Sequence, residues 1–150
     1  MAVRKIFQED DPILLKHCRE VTVFDEKLAS LLDDMFETML KADGVGLAGP
    51  QVGYLRRLAV VETPDDRLEL VNPKIIASEG EQIDEEGCLS VDSSKNCRVL
   101  RPNKVTVRAQ DRTGTWYEKT VEGLSARAVC HELDHLDGIL FYTKKYEGKK

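Results

Sequence analysis

A chain of 150 residues is long enough to bury one full hydrophobic core and short for two ordinary domains. Its 41% hydrophobic and 33% charged residues are an ordinary globular composition and exclude an intrinsically disordered chain. The formal net charge of −5 gives no general electrostatic reason to bind nucleic acid or an anionic membrane, and the basic end formed by Lys144, Lys145, Lys149 and Lys150 reads as solvated.

In chain order, Met1 to Pro12 carries Arg4, Lys5, Glu9, Asp10 and Asp11 without an apolar run, which excludes a secretory signal or membrane anchor there and predicts a cytoplasmic protein. In that reducing compartment Cys18, Cys88, Cys97 and Cys130 read as free thiols or metal ligands, not disulfides. His17 reads as a solvated residue. From Asp25 to Asp43, Leu28, Leu31, Leu32, Met35 and Met39 fall on one stripe while Asp33, Asp34 and Glu37 take other faces, the pattern of an amphipathic helix. Asp25 is its expected N-cap and Gly44 its expected C′ residue.

Gly44–Gly53 reads GVGLAGPQVG, a shaped loop in which glycines allow close backbone approach. Short Val-, Ile- and Leu-rich segments follow at 57–62, 67–72, 74–78, 97–100, 104–110 and 115–121, punctuated by Pro64, Pro73, Pro102 and Gly114. Asp111–Gly114 has the composition of a hairpin turn. From Gly123 to Asp137, Leu124, Ala128, His131 and His135 share one stripe and Val129, Leu133 and Leu136 another, so this helix is expected to be largely buried, with Gly138 as its stop. Together these segments predict one α+β domain over residues 1–150: short, mostly antiparallel strands around a C-terminal helix, with an amphipathic helix before them.

The last helix carries the chemistry. His131-Glu132-Leu133-Asp134-His135 matches H-E-x-x-H, which puts two imidazoles one turn apart and able to share a metal. Glu132, one residue round from His131, can act on a metal-bound water without being a ligand. A catalytic site of this kind takes three protein ligands and keeps one position open. The metzincin position for the third ligand is Phe141, which cannot bind metal, and the fifteen residues after His135 are too few for the thermolysin-like helix. The third ligand is therefore sought upstream, where Cys88 in Glu86-Gly87-Cys88-Leu89-Ser90 is the candidate. Cys18, Cys97 and Cys130 read instead as small core residues.

Three motifs in order, the GVGLAGPQ loop, the EGCLS segment and the HELDH helix, resemble the signatures of the peptide deformylase family, and the resemblance runs from about Val3 to Phe141. It implies removal of the formyl group from the N-formylmethionine of nascent chains by a compact α+β enzyme. It also implies one divalent metal ion, Fe(2+) in the cell, replaceable by Ni(2+), Co(2+) or Zn(2+). Carried onto matching positions, the ligands are Cys88, His131 and His135, and Glu132 is the general base. The oxyanion donors are the side-chain amide of Gln51 and the backbone N–H of Leu89. Val45, Gly46 and Gly87 match positions that hold substrate backbone, and Leu124 and Ala128 help line the methionine pocket. The expected setting is a monomer acting on formylmethionyl nascent peptide, with weak contact to the ribosome and no sequence-specific nucleic acid.

Three departures from the family pattern stand out. Gly49 replaces a usual Ala, implying a looser loop; Asp92 replaces a usual Pro; and Ser93-Ser94-Lys95-Asn96 lacks the usual glycine turn and nearby arginine. They bear on chain preference and loop mobility, not on the reaction. The competing readings are a small H-E-x-x-H metallopeptidase and a non-catalytic protein that binds metal or formylated peptide; the presence of Glu132 and Gln51 weighs against the second.

Overall fold

The computed structural model describes residues 2–148, so Lys149 and Lys150 of the basic end lie outside the described residues. Helix α1 (Glu26–Lys41) and helix α2 (Gly123–Leu136) flank seven strands: β1 (Gly46–Ala48), β2 (Leu58–Glu62), β3 (Arg67–Glu79), β4 (Gln82–Glu86), β5 (Cys97–Arg101), β6 (Lys104–Gln110) and β7 (Trp116–Glu122). One sheet has the order β1-β2-β3-β6-β7, and β4 and β5 form a second; every strand pair is antiparallel. This is the expected α+β domain.

Strand alternation explains why two helices are needed. In β2, Ala59 and Val61 point into a core shared with Ala126, Val129 and Leu136 of α2, whereas Leu58 and Val60 point into one shared with Leu28, Leu32, Met35 and Met39 of α1. The strand is buried on both faces, so its sequence Leu-Ala-Val-Val is uniformly apolar. No helix among the described residues is long and apolar enough to cross a membrane.

Several local expectations change. The Asp25 side chain does cap α1, accepting the Leu28 N–H at 3.0 Å. At the other end the left-handed residue is Asp43 (φ 59°), not Gly44. Asp43 N–H reaches Leu40 C=O and Gly44 N–H reaches Met39 C=O, a Schellman closure with glycine one place further on. The separate segments 67–72 and 74–78 are one strand, β3, with one register shift spanning Pro73, which has no N–H to give the ladder, and a second between Ile75 and Ala77. The β6–β7 turn forms at Asp111–Gly114 as expected, with Gly114 at φ 86° and its N–H on Asp111 C=O.

Two strands had no sequence signal. β1 forms inside the glycine loop by pairing Gly46–Ala48 with Ala59–Val61. β4 reads Gln-Ile-Asp-Glu-Glu, lacks apolar alternation, and exists through its pairing with β5, Gln82 opposite Arg101 through Glu86 opposite Cys97. Cys97 is only half-buried, a departure from its reading as a core residue, while Cys18 and Cys130 are buried as expected.

Candidate metal centre

Three elements converge on one cleft of about 340 Å³. Helix α2 supplies His131, Glu132 and His135 from its buried face. The connection between β4 and β5 supplies Gly87, Cys88 and Leu89, and β1 with the short 3₁₀ turn Gly49–Val52 supplies Gly46 and Gln51. Of the residues singled out from sequence, Val45, Gly46, Gln51, Gly87, Cys88, Leu89, Leu124, Ala128, His131 and Glu132 all line this cleft. His135 lies beneath it, 1% exposed. Leu124 stands at the mouth and is half exposed, whereas Ala128 is buried.

The potential ligand atoms of Cys88, His131 and His135 lie within 4.8 Å of one another. Cys88 Sγ is 3.3 Å from His135 Nε2, and the two imidazole centroids are 5.0 Å apart. Burial, with the charges of His131 and Arg101, holds the His135 pKa well below its ordinary value, so its ring is neutral with a lone pair to offer. Burial opposes a charge on His131 too, yet hydrogen bonds to Cys88 and Glu86 outweigh it and push its pKa to about 10. Positive charge is favoured at this point, and a proton or a cation satisfies the same acceptors. A thiol sulfur and two imidazole nitrogens so gathered fit a divalent transition metal.

Glu132 is 4% exposed, and its Oε1 is buried without a hydrogen-bond partner among the described residues. Burial raises its carboxyl to about 7, against the pull of His131. Space for this carboxylate depends on Gly46, because a Cβ there would collide with it, its Cδ lying 2.9 Å away. Gln51 is fixed at three points: its Oε1 accepts the Ala48 N–H at 2.9 Å, and its Nε2 donates to Ser90 Oγ at 3.0 Å and lies 3.5 Å from Cys88 Sγ. The Leu89 N–H has no acceptor among the described residues.

Behind the triad lies a charge network that sequence reasoning missed. Glu86 Oε1 bonds His131 Nδ1 at 2.9 Å, leaving Nε2 of that ring for the cleft side. Arg101 grips Glu86 through Nε at 2.8 Å and Nη2 at 2.9 Å and reaches Asp134 at 2.7 Å, and Arg127 adds a further bond to Glu86. Burial alone would raise the Glu86 carboxyl, but Arg101 and His131 override it and bring it down to about 2. Phe141, which cannot be a ligand, stacks on the His131 ring with centroids 5.7 Å apart. Glu86 and Ser90 sit inside the EGCLS motif and were legible as neighbours of Cys88, whereas nothing in the sequence pairs Arg101 with Glu86.

Gly49 reverses its expectation. A Cβ there would lie 2.6 Å from the Tyr54 carbonyl oxygen and 2.9 Å from that of Arg56, so the missing methyl marks a tight backbone contact and not a looser loop. His17 is exposed, as expected, with Asp137 3.4 Å away.

An H-E-x-x-H helix turned towards a strand-lined cleft, with a cysteine from another segment closing the ligand set, defines the class: an α+β hydrolase of the H-E-x-x-H kind. Comparison with known proteins narrows it. Residues 3–150 match the model of polypeptide deformylase. The chain is 54% identical over 144 residues to a peptide deformylase of Caldicellulosiruptor bescii, covering 96% of this chain and 86% of that one. Its fold is similar to that of the peptide deformylase from Thermotoga maritima, with a TM-score of 0.93 and 35% identity over 97% of this chain and 99% of the other. An actinonin-bound class I type b peptide deformylase from Acinetobacter baumannii is similar at a TM-score of 0.90 and 33% identity, covering 97% and 100%. The chain belongs to the polypeptide deformylase family.

Proposed function

We propose that residues 1–150 form one catalytic domain that hydrolyses the N-formyl group from formylmethionyl nascent peptides, releasing formate and a free amino terminus. The observation that carries this is the unpartnered, buried carboxylate oxygen of Glu132, set beside the Cys88, His131 and His135 cluster in a cleft that also presents the Gln51 amide. Cys88, His131 and His135 would hold one divalent ion, Fe(2+) in the cell and Ni(2+), Co(2+) or Zn(2+) as replacements. When bound, the ion supplies Lewis acidity, lowering the pKa of a water and polarising the formyl carbonyl.

The chain's own residues do the rest. Glu132 takes the proton of the attacking water and delivers it to the nitrogen as the formyl carbon–nitrogen bond breaks. Gln51 Nε2 and the Leu89 N–H donate to the oxygen that gains negative charge. Val45, Gly46 and Gly87 hold the substrate main chain along the cleft, and Leu124, Ala128 and the hydrocarbon stem of Arg127 receive the methionine side chain. Glu86 keeps the His131 ring in place through Nδ1. The setting is a cytoplasmic monomer with weak contact to the ribosome.

The test is formate release from a formyl-Met peptide, run beside acetyl- and longer acyl-peptides, with metal content measured on protein purified without air. Formate release with little loss of acetyl supports the reading. Cleavage of internal peptide bonds in its place would establish a metallopeptidase.

A further inference from the structure

Gln51 and Leu89, the two groups assigned to the oxyanion, come from segments far apart in sequence. They meet directly through Gln51 Nε2 and Ser90 Oγ at 3.0 Å. Three consecutive residues of the N-terminal segment join them a second time from behind. The Phe7 N–H donates to the Gln51 carbonyl at 2.8 Å, Gln8 Nε2 to the Leu89 carbonyl at 3.3 Å, and the Glu9 N–H to the Ser90 carbonyl at 2.8 Å. This strap touches both donor segments and has no place in the metal cluster.

We propose that Glu9 is a positioning residue for the oxyanion donors, an inference that rests on the deformylase reading above. Its carboxylate fastens the strap to two further elements. Oε1 accepts from Lys95 Nζ at 2.6 Å and from the Tyr142 hydroxyl at 3.3 Å, and Oε2 accepts the Asp92 N–H at 3.3 Å. Lys95 also lies over the Tyr142 ring, 4.8 Å from its centroid. Asp92 in turn caps the short turn Ser93–Lys95, accepting the Ser94 N–H at 2.8 Å. The turn that departs from the family pattern is therefore tied through Glu9 to the strap, and through the strap to Gln51 and Leu89.

Oxyanion donors contribute in proportion to how closely they match the position of the charge that develops, within a few tenths of an ångström. Of the three groups assigned to substrate main chain, Val45 and Gly46 lie beside β2 and not on the strap, and Gly87, although it shares the Leu89 segment, makes no hydrogen bond to the strap among the described residues. Releasing the strap therefore raises the barrier of the chemical step and leaves ground-state binding in place, which is a kcat effect without a KM effect.

The experiment measures formate release from a formyl-Met-Ala peptide by metal-matched wild type, Glu9→Ala, Glu9→Gln and Lys95→Met, with folding followed by circular dichroism. Loss of a whole oxyanion donor costs about 10²–10³ in kcat, so misplacement of two is expected to cost about 5- to 20-fold in Glu9→Ala, with KM within about twofold. Glu9→Gln keeps an acceptor for Lys95 and Tyr142 and is expected to stay within about threefold of wild type; Lys95→Met is expected to fall between the two. Wild-type kcat in Glu9→Ala, a rise in KM that matches the fall in kcat, or a Gln variant as impaired as the Ala variant would each overturn the proposal. Should Glu9→Ala fail to fold, Lys95→Met decides: a kcat loss at unchanged KM supports the proposal and a wild-type kcat overturns it. A wild type that releases no formate sinks the deformylase reading and the proposal with it, whereas an active wild type with unmoved variants sinks the proposal alone.

Discussion

Glu132→Gln keeps shape and volume but cannot accept a proton, so it is expected to retain metal while formate release falls by about 10²–10⁴. Metal content and turnover measured on one preparation check this, and near-normal turnover would remove Glu132 as the base. Glu86 behaves differently, because its carboxylate is shared by Arg101, Arg127 and His131. Glu86→Gln leaves buried guanidinium charge uncompensated, and breaking a buried pair in this way costs about 3–5 kcal/mol. Urea unfolding should show that loss, and the variant should bind metal more weakly because the Nδ1–H of His131 exchanges a carboxylate acceptor for a neutral amide one. Glu132 was legible because H-E-x-x-H spacing is a local property of a helix. Glu86 was legible only as a neighbour of Cys88 and its role in the charge network was not, since its partners come from β5 and α2 and only the fold brings them together.

Elements were legible where a local pattern sets them. α1 follows its apolar stripe, and its N-cap is the aspartate that the sequence indicates. β4 is a strand only because β5 offers it a ladder, so a run of charged residues could not announce it. The end of α1 misled for a related reason: glycine is the usual left-handed residue, yet here the closure falls one residue earlier on Asp43. That position carries two costs, a Cβ in the left-handed region and a carboxylate near the negative end of the helix dipole. Asp43→Gly is accordingly expected to stabilise the protein by about 0.5–1 kcal/mol. Thermal unfolding of the two proteins at one pH and salt concentration measures the change; a lower midpoint in the glycine variant would mean that the Asp43 side chain has a stabilising partner.

At the scale of the whole molecule, the amino-terminal segment is held at both ends: near Glu9 by the turn beside the cleft, and near Ala2 by helix α1. Asp34 on α1 is buried and accepts from the Ala2 N–H at 2.8 Å and from Arg4 Nε at 3.0 Å, with Arg4 Nη2 at 2.9 Å from the same carboxylate. Chiefly the Ala2 hydrogen bond, assisted by Arg4, lowers the Asp34 pKa below its ordinary value. A carboxyl whose folded pKa is depressed binds protons more weakly in the native state than in the unfolded chain. Its contribution to stability is therefore fully present above the unfolded aspartate pKa of about 3.9 and is lost as pH falls through the lower folded value. Asp34→Asn removes the charge at every pH. Wild type should be the more stable protein at pH 7, and the gap should narrow on titration below pH 4 until the two urea midpoints approach one another. A gap that stayed constant from pH 7 down to pH 2.5 would show that Asp34 holds the amino-terminal segment through shape or neutral hydrogen bonding, with no part played by its charge.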